Sequence, residues 1–308
     1  MMKRLQLCRI LLVVACPLLG MCGCRGPVTR GHTMAWASGG VVCLQTSSQE
    51  IDTLGPGFYP ALSPDGFRIA FVRDIPGSGA SQIVVLNRAS GEEEVVVESA
   101  DPLMDLSWSP DGNALAFVSG SPDGSRALEV CAPDGSVLTA LWSGPGAQGL
   151  VFLRPSWLPD SRGLLFNDES ALYRIYLDGT LREWITVEAI THNLSALSLS
   201  DRFVVCPSDT TLIAYTRLIP ATTSLAIATS VSSTHALFVY DIDTGSSLQM
   251  TTSDMCALDP VWASDGSVIV FWGYDSGMAR EGIESVFVLD YASGLWEPVA
   301  PGQCPAVD

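Results

Sequence analysis

The sequence contains the stretch Leu106-Ser107-Trp108-Ser109-Pro110-Asp111-Gly112, which is followed after two residues by the apolar run Leu115-Ala116-Phe117. Proline fixes φ, aspartate accepts hydrogen bonds from nearby backbone, and glycine adopts positive φ at little cost. These three residue types in a row predict a tight turn between two buried strands. The stretch is therefore predicted to form a β-hairpin.

The same motif recurs along most of the chain. Aligned copies place turn aspartates 46, 49, 49 and 56 residues apart, at Asp65, Asp111, Asp160, Asp209 and Asp265. The copy at Asp209 is the most degraded. Behind each hairpin lies a second pair of apolar segments with its own polar turn, so each repeat supplies four strands. Four-stranded repeats of this length are typical of β-propeller blades.

The two ends of the chain complete one further blade. The N-terminal part between Met34 and Leu54 supplies three strands, whereas the C-terminal segment from Cys304 to Asp308 matches the first strand of a repeat. Pairing them would close the ring and remove its free sheet edges. We therefore predict an all-β fold over residues 34–308, a single six-bladed propeller whose N- and C-terminal strands share a blade.

The repeats resemble those of the WD40-like Pro-Asp family, which form TolB-like propellers. The resemblance covers residues 34–308 and is carried by the turns at Asp65, Asp111, Asp160 and Asp265. It implies a platform that binds proteins in the bacterial cell envelope. TolB also has an α/β domain ahead of its propeller, so we expect a TolB-like propeller rather than TolB itself.

The N-terminus is predicted to be a signal peptide. Lys3, Arg4 and Arg9 flank or precede the apolar stretch 10–21, which is shorter than the roughly 20 residues that span a bilayer. Gly23 followed by Cys24 resembles a bacterial lipoprotein signal, which implies lipidation of Cys24. The expected division is a signal peptide at 1–23, a tether at 24–33 and the propeller at 34–308. Cleavage before Cys22 and an ordinary secretory signal are the alternatives.

The charge of the chain restricts its partners. The formal net charge is −17, and cleavage before Cys24 would remove three basic residues and no acidic one. An acidic surface repels phosphate backbones and anionic lipids, so we expect no nucleic-acid partner and no membrane binding by charge. The expected location is the cell envelope, periplasmic or on the outer surface, with the lipid as membrane anchor and the protein as a monomer.

The sequence shows no motif for catalysis or for a cofactor. It has three histidines without an H-E-x-x-H pair, no G-x-S-x-G motif, and no lysine beyond Lys3 for a phosphate-binding loop. The cysteines that follow the predicted signal peptide are widely spaced, without a C-x-x-C pair: Cys24, Cys43, Cys131, Cys206, Cys256 and Cys304. We therefore predict neither an enzyme nor a metal or cofactor site. The turn aspartates and the repeated tryptophans Trp108, Trp157 and Trp262 are interpreted as scaffold.

Segments that depart from the repeat are the candidates for binding. Extra residues occur at 186–203, 216–235 and 273–282, and the last of these carries Tyr274, Asp275, Arg280 and Glu281. Because binding residues are frequently placed on loops of a rigid scaffold, we predict that these four residues contact a partner. The predicted function is a non-enzymatic scaffold for a protein or peptide. The alternative is a propeller enzyme, or a carbohydrate- or metal-binding protein, with its site in the central channel.

Overall fold

A computed structural model describes residues 31–46, 50–121, 124–143, 151–167, 170–191 and 202–308. Within these ranges, 24 strands form six antiparallel sheets of four strands each. Hydrophobic clusters fill the spaces between successive sheets, as where Val204 of one sheet packs with Phe271 of the next. The predicted six-bladed all-β propeller is confirmed.

The blades are numbered from the one that the chain ends share. Blade 1 contains β24 (Gln303–Val307), β1 (Met34–Ser38), β2 (Val41–Gln45) and β3 (Ile51–Pro56). Blade 2 contains β4 (Phe58–Leu62), β5 (Arg68–Asp74), β6 (Ser81–Asn87) and β7 (Glu93–Ser99). Blade 3 contains β8 (Leu103–Trp108), β9 (Leu115–Gly120), β10 (Arg126–Cys131) and β11 (Leu138–Ser143).

The remaining blades follow the same strand order. Blade 4 contains β12 (Val151–Trp157), β13 (Gly163–Asn167), β14 (Ala171–Tyr176) and β15 (Leu181–Thr186). Blade 5 contains β16 (Phe203–Val205), β17 (Leu212–Pro220), β18 (Ser233–Asp241) and β19 (Ser246–Gln249). Blade 6 contains β20 (Met255–Trp262), β21 (Val268–Asp275), β22 (Ser285–Asp290) and β23 (Trp296–Pro301).

Within the described parts of the segments that depart from the repeat lie three short helices: α1 (Val187–Thr191), α2 (Thr223–Thr229) and α3 (Ser276–Glu281). The sequence analysis expected strands and loops only, because helices of five to seven residues are too short to show a helical period. Asp254 accepts hydrogen bonds from Thr222 Oγ1 at 2.6 Å and Ser276 Oγ at 3.0 Å. This carboxylate therefore holds the starts of α2 and α3 together.

The ring closes as predicted. β24 pairs with β1 through Met34↔Val307 and Ala35↔Ala306, and the N–H of Asp308 donates to the carbonyl of Thr33 at 3.1 Å. His32 extends this closure, because its ring nitrogens contact Asp308 Oδ1 at 3.2 Å and Ser267 Oγ at 3.1 Å. The N- and C-terminal strands thus share a blade, and His32 joins both to the turn of blade 6.

The repeated aspartates form turns. Each accepts a hydrogen bond through its side chain from the backbone N–H two residues later, at 2.8–3.1 Å, in the turns at Asp65, Asp111, Asp160, Asp209 and Asp265. The residue after Asp111 is Gly112, with φ of 74°, whereas Ser161 holds the matching place in blade 4 with φ of 59°. Ser161 Oγ accepts the N–H of Asp111 at 3.0 Å, so this unusual serine links two blades.

The repeated tryptophans join adjacent blades, as interpreted from the sequence. Trp157 Nε1 donates to the Ser107 carbonyl, and Trp262 Nε1 donates to the Val204 carbonyl, both at 3.2 Å. Each acceptor lies on the innermost strand of the preceding blade. Among the described residues, the buried Trp108 Nε1 has no acceptor, although the Arg68 guanidinium lies 4.8 Å from the centre of that ring.

The outer strand of most blades carries the same irregularity. In five blades the register between the third and fourth strands shifts by one residue, and the extra side chain packs against the core between that blade and the next. The extra residues are Leu54, Val96, Leu141, Trp184 and Val299. Four are aliphatic, and only blade 4 has an aromatic residue there.

Candidate binding site in the central channel

A pocket opens in the centre of the ring at the face that carries the turn aspartates. It has a volume of about 200 Å³ and is lined by the innermost strands β4, β8, β20 and β24 and by residues next to β16. Prolines form much of its wall: Pro60, Pro64, Pro110, Pro207 and Pro305. Since proline has no N–H and a rigid ring, the wall is apolar and preorganised.

Four innermost strands carry a strained residue at matching places, which we call the channel ring, and Tyr59, Asp105 and Cys304 of this ring line the pocket. Tyr59, Asp105, Asp259 and Cys304 have φ of 49°, 57°, 52° and 55°, which is the left-handed region that non-glycine residues seldom adopt. Three of them precede their turn aspartate by six residues, and each lies where the register of the innermost strand shifts. Such conformations cost about 1–3 kcal/mol each and tend to cluster at functional sites.

Side chains of both charge signs line the pocket. Asp105 is 6% exposed and lines the pocket together with Arg202. Arg202 stands at the matching position of blade 5, four residues before Cys206, just as Tyr59 stands four residues before Ser63. Both Cys206 and Ser63 open a turn with a backbone hydrogen bond across it. The pocket therefore has an apolar wall and charged side chains of both signs.

The rim of the pocket is acidic. Asp65, Asp111 and Asp265 are exposed, and each follows directly after a residue that lines the pocket. A hydrogen bond from Ser63 Oγ to Asp65, at 2.5 Å, lowers the pKa of that carboxyl despite its slight desolvation. Carboxylates of this kind stay charged at neutral pH, so the opening attracts cationic groups.

The four residues predicted to contact a partner lie beyond or at the end of β21, whereas the turn aspartates lie before the start of the second strand of each blade. Tyr274 is the last but one residue of β21 and lines a separate cavity of about 510 Å³ together with His235 and Cys256. Burial raises the pKa of the Tyr274 hydroxyl, with a contribution from Cys256, and burial lowers the pKa of His235. Tyr274 is thus brought together with two groups that the sequence analysis did not select.

Of the other three residues, Asp275 directly precedes helix α3, and Arg280 and Glu281 belong to it. Asp275 Oδ1 accepts the N–H groups of Gly277 and Met278, both at 2.8 Å, and so caps the helix start. Arg280 and Glu281 occupy its last turn. The capping bonds give Asp275 a structural role, and the contact of all four residues with a partner stays a prediction.

The sequence analysis did not select the residues at the channel ring. A signal was nevertheless present, because the position six residues before the turn aspartate is Tyr59, Asp105, Arg154 or Asp259 in successive intact repeats. Flanking positions repeat apolar residues or proline, whereas this one changes in size and charge. Variation of that kind at one place on a rigid scaffold is typical of a binding position.

The described residues were also considered for metal, membrane and redox sites. They contain no group of three or more His, Cys, Asp or Glu side chains placed to hold a metal ion. No helix among them is long and apolar enough to cross a membrane. Their cysteines are free thiols; Cys43, Cys131, Cys206 and Cys256 are buried and Cys304 is half-buried. Burial raises the pKa of Cys131 to about 11, with contributions from nearby carboxylates.

Comparisons with known proteins agree with the fold. No protein-family model and no curated protein sequence matches the chain. TolB from Acinetobacter baumannii superposes with a TM-score of 0.64 at 16% identity, over 90% of this chain and 66% of that chain. A protein assigned as TolB from Agrobacterium tumefaciens gives 0.58 at 16% identity, over 89% and 91% of the two chains.

An enzyme also shares the architecture. Oligogalacturonate lyase from Vibrio parahaemolyticus superposes with a TM-score of 0.52 at 11% identity, over 83% of this chain and 73% of that chain. Identities this low establish a common fold and no common activity. The chain has the fold of a six-bladed, TolB-like β-propeller.

Proposed function

We propose that the protein is a non-enzymatic scaffold of the cell envelope, which binds a segment of a partner protein in the channel pocket. The observation that carries the proposal is the small apolar pocket with an acidic rim. Its volume of about 200 Å³ is below the range of typical small-molecule sites, roughly 300–1,000 Å³, and suits a single side chain or a chain end.

The chemistry of the pocket defines the segment it would hold. An apolar side chain would contact the prolines of the wall, whereas basic residues beside it would meet the rim at Asp65, Asp111 and Asp265. Asp105 and Arg202 give the pocket one acidic and one basic side chain, so a polar group of the segment would meet charges of both signs there. Burial of a rigid apolar anchor inside a charged rim is the usual arrangement of tight protein contacts.

The experiment is site-specific photo-crosslinking in the native envelope. A photoreactive phenylalanine analogue at Ser264, which is exposed at the pocket mouth, is expected to capture a discrete protein. The same analogue at Ser136, exposed on an outer turn of blade 3, is the control and should not capture that protein. Equal capture from both positions, or none from Ser264, would contradict binding at the pocket.

The lipid anchor is part of the proposal. Cys24 lies outside the described residues, but His32 contacts Asp308, which lines the pocket, so the chain leaves the fold beside the pocket mouth. Eight residues span at most about 26–29 Å, which would hold the mouth close to the membrane. Substitution C24A is expected to release the protein from membranes, and unchanged retention would refute the anchor.

The rival function is an enzyme or a carbohydrate- or metal-binding protein that uses the same channel. Its support is the shared architecture with oligogalacturonate lyase, one structure of which is described as a complex with manganese. Elemental analysis of the purified protein separates the two. Stoichiometric calcium or manganese, together with a loss of stability on chelation, would favour the rival and count against the scaffold.

A further inference from the structure

Blade 4 breaks the repeat at one place where the four other blades with the same register shift agree. The blades can be aligned on the extra residue of the fourth strand. The third-strand residue of the second pair beyond it is aliphatic and at most 8% exposed in four blades: Leu44, Val85, Val130 and Val288. In blade 4 the same position is Arg174. A cationic side chain therefore replaces a core aliphatic residue.

The cross-strand partner of this position also changes. In these four blades the aliphatic residue pairs with a residue of the outer strand that is acidic in three of them: Asp52, Glu94, Thr139 and Glu297. In blade 4, Arg174 pairs with Arg182. Like charges directly opposite each other destabilise a sheet, so the blade carries a pair that the fold itself does not favour.

Aromatic rings on the same side of the sheet support both arginines. The Arg174 guanidinium lies 3.6 Å from the ring centre of Trp184, the extra residue of this blade, and the Arg182 guanidinium lies 5.9 Å from that of Tyr176. We call Arg174, Tyr176, Arg182 and Trp184 the blade 4 patch. At 3.6 Å the Arg174 guanidinium stacks on the indole, and a stacked guanidinium can still bond through the N–H groups at its edge; Arg182 lies near the outer limit of a cation–π contact.

The neighbouring acidic groups do not neutralise the patch. Within the described residues, no carboxylate lies within ion-pair distance of Arg174 or Arg182, and the buried Arg174 Nε has no hydrogen-bond partner. Arg182 contributes to lowering the pKa of Asp178, but less than the hydrogen bonds from Thr180. Glu183 pairs with Tyr173 and so lies on the other side of the sheet.

We propose that the blade 4 patch is a docking surface for an acidic segment of a partner protein, separate from the channel pocket. Each of the two guanidinium groups can bind a carboxylate through paired hydrogen bonds. Arg, Trp and Tyr are the residues most enriched at the energetic centres of protein interfaces, and the adjoining Leu177 is 42% exposed. This composition favours a protein over an acidic polysaccharide, because Arg174 covers the indole face on which a sugar would stack.

The location of the patch gives the scaffold a second function. Among the residues whose side chains the structure describes, which in β12 begin at Pro155, none of blade 4 lines the channel pocket. Arg182 lies on β15, the outermost strand of its blade. A ligand on the patch would leave the pocket accessible. The protein could then hold two partners at once, one with a basic segment at the channel and one with an acidic segment at blade 4.

The test measures binding of a fluorescein-labelled peptide of alternating glutamate and leucine to the full-length protein by fluorescence anisotropy. We expect saturable binding that weakens with salt, and no binding of the matched glutamine–leucine peptide. Substitution R182E restores the acidic residue of the other blades and should weaken binding about tenfold or more, since it removes charge-assisted hydrogen bonds. R126E makes the same charge change on an exposed arginine of blade 3 and should leave the affinity within twofold.

A second variant separates binding from folding. R174V introduces the residue that blades 2, 3 and 6 carry, so it should melt at or above the wild-type temperature while it loses peptide affinity. Unchanged peptide affinity in both R182E and R174V, or equal binding of the glutamine peptide, would overturn the proposal. Tighter binding of oligogalacturonate than of the peptide, or self-association that R182E abolishes, would also overturn it by identifying a different occupant.

Discussion

The three repeated tryptophans make it possible to measure how much an indole hydrogen bond between adjacent blades contributes to the free energy of unfolding. Trp157 and Trp262 each donate a 3.2 Å hydrogen bond to the preceding blade, whereas Trp108 has a buried Nε1 with no acceptor in the described structure. Replacement by phenylalanine removes a similar apolar volume at each site. The variants W157F and W262F should therefore lose more stability than W108F.

The size of the difference follows from the hydrogen bond. Loss of the donor removes a bond that contributes about 0.5–1.5 kcal/mol. It leaves the carbonyl of half-buried Ser107, or that of buried Val204, without this partner. In W108F the change removes an unpaired buried N–H, whose desolvation costs about 1–3 kcal/mol, and the phenyl ring retains most of the contact with Arg68. A difference of about 2 kcal/mol is expected between the two classes.

The assay is thermal unfolding monitored by near-ultraviolet circular dichroism, with urea midpoints as a second measure. For a domain of this size, whose unfolding entropy is about 2 cal/mol/K per residue, about 2 kcal/mol corresponds to a difference of roughly 3–4 °C in melting temperature. W157F and W262F should fall together, and W108F should lie nearer the wild type. Equal losses in all three variants, or the largest loss in W108F, would refute the assignment of the indole N–H as the link between blades.

Two further predictions concern the turns and the strand contacts. D65A should lower the free energy of unfolding by about 1 kcal/mol at neutral pH. The pKa of Asp65 is lowered in the folded state, so the stability that its carboxylate contributes is present above the unfolded pKa and is lost as the pH falls through the folded pKa. The urea midpoints of variant and wild type should therefore converge in acid. G273A should cost about 3 kcal/mol or more, since its new Cβ would lie 1.8 Å from the Cys256 carbonyl oxygen. G120A is the control for the glycine. Its Cβ meets the methyl at the end of the flexible Met104 side chain at 3.3 Å and the Pro102 carbonyl oxygen at 4.0 Å, so a urea midpoint as low as that of G273A would contradict the steric explanation.

The sequence was sufficient to predict the ring because the turn motif encodes local geometry that each blade needs. Asp111 with Gly112 specifies one turn, and its recurrence at a nearly constant spacing specifies the number of blades. The closure between Met34 and Val307 was predictable for the same reason, since each end contained a part of the repeat that the other lacked. Features that every blade repeats are therefore accessible from sequence.

Features that occur in one blade only were harder to predict. The helices α2 and α3 depend on tertiary contacts, because Asp254 must lie beside both helix starts before it can bond Thr222 and Ser276. Helices this short have little stability of their own and are stabilised by such contacts. The channel ring was missed for a related reason, since its left-handed residues are recognisable only once the register shift on each innermost strand is known.

The arginines of blade 4 show why the register matters for function. Arg174 and Arg182 are eight residues apart in a stretch that reads as an ordinary strand, turn and strand. Only the shift at Trp184 aligns Arg174 with the buried valines of other blades and Arg182 with their acidic residues. In a repeat protein each position can be compared with the same position in the other blades. In blade 4 alone of the five aligned blades, a pair of arginines replaces an aliphatic–acidic pair and aromatic rings contact both arginines. Because valine and glutamate at these two positions would stabilise the blade more, the presence of two arginines favours a role in binding over a role in stability.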